Sequence, residues 1–92
     1  MQQETAEKTA LKALEWLAAD PGLFEVFLGT TGACVADVTA RAGDAQFLGA
    51  VLDFIMMDDA WVIGCCDAQG IGYEILSQAR QSLPGGAVPN WT

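Results

Sequence analysis

Residues 43–59 read GDAQFLGAVLDFIMMDD, and the period of their apolar side chains sets the fold class. Gly43 stops the element before it, and Asp44 is the kind of short polar residue that caps a helix N-terminus. Projected at about 100° per residue, Phe47, Leu48, Val51, Leu52, Phe54 and Ile55 cover a wide arc. Only Gln46, Gly49 and Asp53 form a narrow polar edge. A helix that is apolar on nearly every side belongs inside a fold. The stretch is far shorter than the roughly 20 apolar residues of a membrane span, and Asp53 interrupts it. It predicts a buried central helix from the Asp44 cap to Met57. An Asp53 placed there needs solvent or a cationic partner, Arg41 or Arg80, because an unpaired buried carboxylate is costly.

Working outward from this helix, the same spacing recurs. Ala6, Ala10, Leu14 and Leu17 predict a first helix over residues 6–19, with Leu11 and Ala13 widening its stripe and Thr5 as N-cap. Trp16 projects near its polar side. Asp20-Pro21 is a helix start, a cap followed by proline at the first helical position. The helix it opens carries Leu23, Phe24, Val26, Phe27 and Leu28, and the run Gly29-Thr30-Thr31-Gly32 ends it. A short helix over residues 35–42 has Asp37 in its first turn and Arg41 in its last, as the helix dipole prefers. Asp58 caps a fifth helix with Trp61, Val62, Cys65 and Cys66 on one stripe, and Gly70 suits its left-handed end. A sixth, over residues 73–83, packs through Tyr73, Leu76, Ala79 and Leu83, and Pro84-Gly85-Gly86 closes the domain. No strand-like alternation survives. The expectation is an all-α fold: a compact single domain of five or six short helices, residues 1–86, with residues 87–92 as a loose tail. A shift of 38 positions lays Asp20 on Asp58, Gly32 on Gly70 and Val38 on Leu76, a weak internal repeat.

Composition narrows the function classes. The 92 residues contain no histidine, so neutral-pH proton transfer lacks its usual side chain. Twelve acidic against four basic residues give a net charge of −8. Four scattered cations cannot build the phosphate-neutralising patch that nucleic acid requires. An anionic membrane surface is disfavoured for the same reason. A basic protein partner stays open. No signal peptide is visible, so a soluble cytoplasmic protein with free thiols is expected; three cysteines cannot all pair within one chain.

Candidate sites each have a bland reading. Asp58 and Asp59 could hold a metal or share a proton, yet neighbouring helical residues diverge and capping explains Asp58. Cys65-Cys66 lacks the Cys-x-x-Cys redox spacing, only Cys34 could add a third thiolate, and cysteine is often core. Ser77 and Ser82 have no nucleophile elbow, and no phosphate-binding glycine pattern occurs. Exposed tryptophans and methionines are natural interface residues, which singles out Trp16, Met56, Met57 and Trp91.

ALKALEWLAADPGLFEVFLGTTG (residues 10–32), RAGDAQFLGAVLDFIMMDDAWVIGCCDAQGI (residues 41–71) and SLPGG (residues 82–86) carry a resemblance over nearly the whole chain. In order, spacing and length the chain resembles a bacterial family known as domain of unknown function 3572. The resemblance implies a compact bacterial cytoplasmic domain and assigns no activity, ligand or catalytic residue. The function expected from the residues is a non-enzymatic interaction module, regulatory or accessory, without cofactor or metal, that binds a protein partner or itself. The alternative is a small-molecule or metal-binding domain built on Cys34, Cys65, Cys66 and the aromatic core. Carboxylate chemistry at Asp53, Asp58 or Asp59 is the weakest of the three.

Overall fold

A computed structural model describes residues 1–84. Six helices follow one another: α1 (Gln3–Ala18), α2 (Pro21–Thr31), α3 (Val35–Arg41), α4 (Ala45–Ile55), α5 (Asp59–Gln69) and α6 (Tyr73–Gln81). No strand occurs among the described residues. The fold is all-α, as the spacing predicts. The expected domain limit at residue 86 and the tail at 87–92 lie outside the described residues.

Punctuation in the sequence sets most boundaries. The Asp20 carboxylate accepts from the Leu23 N–H at 3.1 Å, Asp44 from the Gln46 N–H at 3.1 Å, and Asp58 from the Ala60 N–H at 2.8 Å. These bonds satisfy donors that a helix N-terminus leaves open. Gly32 (φ 73°) and Gly70 (φ 66°) close α2 and α5 in the left-handed conformation, where a Cβ is strained. Several boundaries depart from expectation; α1 ends at Ala18, α3 at Arg41 and α6 at Gln81, not at residues 19, 42 and 83. Helix α1 begins at Gln3, not residue 6, and Thr5 is not its cap. The Ala6 N–H already donates to the Gln2 carbonyl, and Gln3 donates to Glu7 at 3.0 Å, so the first turn forms earlier. Helix α4 ends at Ile55, which leaves Met56 and Met57 in the corner before α5.

Helix α4 is the most deeply set element, with Phe47, Leu48, Gly49, Val51, Leu52, Phe54 and Ile55 all buried. Helix α1 is the hub: it packs against α2, α4, α5 and α6. Its Ala6, Ala10, Ala13 and Leu17 are fully covered, and the three alanines, being small, let neighbouring helices approach. Leu11 does not join this face and is exposed. It falls well over 100° from the centre of the stripe, which the sequence reading drew too wide. Tyr73 is likewise exposed rather than packed, leaving α6 to bury Leu76, Ala79 and the following Leu83. Phe27 of α2 meets Phe47 and Phe54 of α4 edge-on, with ring centroids 6.0 and 5.3 Å apart. Phe54 in turn stacks on Trp61 at 4.9 Å. Helix α3 buries only Val38 and is the peripheral element.

Positions matched by the 38-residue shift play equal local roles: Asp20 and Asp58 cap, Gly32 and Gly70 terminate, Val38 and Leu76 are buried. The halves pack differently, since α6 lies against α1 while α3 sits at the edge. The match reflects helix starts and stops.

Candidate functional site

Asp53, one of the polar residues singled out in the sequence, ties two helices together. Asp53, on the narrow polar edge of α4, meets Arg80 of α6. The guanidinium donates to both carboxylate oxygens, with Nη2 at 2.7 Å from Oδ2, and its Nη1 reaches the Pro84 carbonyl at 3.3 Å. Gly49, one turn before Asp53, makes room for it: a Cβ there would stand 3.0 Å from Nη1 and 3.3 Å from the Pro84 oxygen. Arg80 was one of the partners expected for Asp53, whereas the role of Gly49 is not visible in the sequence. Arg41 pairs with Asp44 at 3.2 Å and lies over the Phe47 ring.

The other candidate carboxylates have separate local placements. Asp58 caps α5, and Asp59 is exposed in the first turn. Asp37 accepts from the Cys34 N–H at 3.0 Å and lies 3.4 Å from its Sγ. Those two hydrogen bonds, with the nearby Arg41 charge, hold the Asp37 carboxyl below its ordinary pKa. A cavity of about 220 Å³ opens between the end of α2, α3 and the start of α4, with Gly32, Asp37, Arg41, Gln46 and Phe47 in its wall. Its two charged groups are the ones already engaged with Cys34 and with Asp44.

The cysteines separate into two classes. Cys65 and Cys66 are buried in the core, and Cys34 is exposed at the start of α3. Among the described residues no group of three or more Cys, Asp or Glu side chains stands close enough to hold a metal. Burial, and secondarily the neighbouring Cys66, push the Cys65 thiol up to about 11. Burial raises Cys66 as well, with a further contribution from the Asp67 charge. Alkylation should therefore add one label, at Cys34, to the native protein and three after denaturation, as read by intact mass. Labelling of all three at one rate would contradict the packing. The linkage has a sign: a thiol at about 11 in the fold against an ordinary 9.0 favours folding below pH 9. That contribution fades as the pH rises from 9 through 11.

The remaining candidates lie at the surface. Trp16 is half-buried, and its Cζ2 sits 3.2 Å from where a Cβ on Gly64 would be, so the indole covers a glycine notch of α5. Met56 is 39% and Met57 70% exposed at the α4–α5 corner. Trp91 lies outside the described residues. Sequence reading missed Ile63, which is 48% exposed on α5. It lies on the side of α5 away from the buried Cys65, and Asp59 and Asp67 stand four residues before and after it on that face. The helical projection of α5 carries this signal, but the neighbouring Trp-Val-Cys-Cys stripe dominates it. Among the described residues no basic side chain pairs with Asp59 or Asp67.

No single helix among the described residues is long and apolar enough to cross a membrane. Neither a curated protein nor a solved structure matches the chain. A family profile described as "Protein of unknown function (DUF3572)" matches residues 3–86, which takes in all six helices. The chain belongs to the DUF3572 family.

Proposed function

We propose that this chain is a non-enzymatic interaction module, regulatory or accessory to a protein partner, working in a bacterial cytoplasm. The observation that carries this reading is the exposure of three large apolar side chains within eight residues, Met56 and Met57 at the α4–α5 corner and Ile63 on α5, while Asp20, Asp44, Asp53 and Asp58 are engaged in capping or an ion pair. Methionine is flexible and polarisable and fits partner surfaces of varied shape. Three unpaired thiols suit a reducing compartment. The net charge of −8 sets like surfaces against each other and favours a different partner over a second copy.

Native mass spectrometry of the tagged protein, purified gently from its own host, tests this. The expected result is a complex with a discrete protein partner. Met57→Glu should weaken that complex by at least about tenfold, the size expected of a residue central to an interface. Its melting temperature should stay unchanged, because Met57 contributes little to the core. A bare polypeptide mass, or a stoichiometric small-molecule or metal adduct in place of a partner, would overturn the proposal.

A further inference from the structure

We infer that the outward face of α5, with the methionine corner before it, docks a basic amphipathic segment of the partner, an apolar stripe flanked by Lys or Arg. This rests on the interaction reading above and adds the chemistry of the partner. Ile63 lies at the middle of the face, Asp59 and Asp67 flank it, and Met56 and Met57 close α4 just before the face begins. At 1.5 Å rise per residue the two carboxylates lie about 12 Å apart along the helix. That separation spans two turns of a docked helix, so cations one turn either side of an apolar anchor meet both. Neither aspartate has a cationic partner among the described residues, and no Lys or Arg occurs in the chain between Arg41 and Arg80, so α5 carries no cation of its own.

Charge decides among occupants. A second copy would bring its own Asp59 and Asp67 against these, on a chain of net charge −8. Anionic lipid and nucleic acid are repelled by the same field. A cationic helix is drawn in by it, and apolar contact then holds what the field has steered. Amphipathic helices dock on methionine-bearing surfaces in this way.

The test is an NMR titration of the full-length, 15N-labelled protein with a synthetic amphipathic Leu/Lys helix peptide. The same peptide with Glu in place of Lys is the comparison. The expected result is saturable binding of the Lys peptide alone, with shifts concentrated at residues 56–67 and affinity that falls as salt is raised. The Asp59→Asn/Asp67→Asn double variant should bind at least about tenfold more weakly. Glu4→Gln/Glu25→Gln, on other helices, should bind as the wild type does. Shifts spread equally over α1 and α2, equal loss in both double variants, or no binding would overturn the inference. So would a dimer in sedimentation that Met57→Glu dissociates, which would assign the face to a second copy. A natural partner that is lost with Met57→Glu but binds Asp59→Asn/Asp67→Asn normally would remove the basic segment and leave the interaction reading standing.

Discussion

Phe27→Ala is expected to destabilise the protein by about 3–5 kcal/mol, the range for truncating a buried aromatic. Phe27 is fully covered and is the sole buried residue of α2. Its ring stacks on Phe24 at 6.2 Å and meets Phe47 and Phe54 edge-on, so one truncation opens a cavity and breaks three aromatic contacts. Domains of this size have roughly 5–15 kcal/mol in total. The loss therefore takes roughly a fifth or more of the stability, and the melting midpoint falls by at least about 12 °C. Val26, the residue before it, is 50% exposed. Val26→Ala should stay within about 0.5 kcal/mol of wild type. Urea unfolding followed by far-UV circular dichroism measures both. A Phe27→Ala cost below about 1 kcal/mol would mean that α2 is anchored elsewhere.

Arg80→Ala is the second large effect, about 2–3 kcal/mol. The Arg80 side chain is 13% exposed, whereas that of Asp53 is 59% exposed. Water can therefore take over much of the Asp53 charge once Arg80 is gone, and the cost comes from the lost bonds to Asp53 and Pro84 and the emptied space over Gly49. Arg80→Met keeps the packing of the stem and should recover part of that loss. Gly49 makes the arrangement separable from simple propensity. Gly→Ala inside a helix gains up to about 1 kcal/mol, and Gly29→Ala in α2, with nothing within 4 Å of the added Cβ, should show such a gain. Gly49→Ala should not, because its Cβ meets the guanidinium and the Pro84 carbonyl. In the Arg80→Ala background part of the gain should return, and the double-mutant cycle reads this coupling directly. Additive effects would place Arg80 away from Gly49.

The sequence made the starts of α2, α4 and α5 and the ends of α2 and α5 legible because each of these has a local chemical cause. Asp20, Asp44 and Asp58 cap, and Gly32 and Gly70 take the left-handed conformation that other residues avoid. The burial of α4 was legible too, since an arc apolar on nearly all sides has only one place to go. Long-range placement was less visible. That α1 is the hub follows from small alanines, whose role depends on what approaches them. Leu11 and Tyr73 have the composition of core residues, but Leu11 lies off the buried stripe of α1 and Tyr73 falls at the margin of that of α6, where neighbouring helices decide exposure. Asp53 has two cations available in the sequence, and only the packing of α6 on α4 selects Arg80. Of the surface residues, Met56 and Met57 stood out by position at a helix end. Ile63 did not, because its exposure depends on which side of α5 the core lies. Trp16 stood out for its place near the polar side, and the glycine at position 64 that receives it is a tertiary feature.

The central claim is that function resides in the apolar surface of α5 and the corner before it. Its most direct test places a photo-crosslinking residue at Ile63 in the native host and, separately, at Glu25 on α2, both exposed positions on helices. Irradiation at position 63 should yield one discrete protein adduct that is absent at position 25. Equal adducts at both positions, or none at position 63, would contradict it.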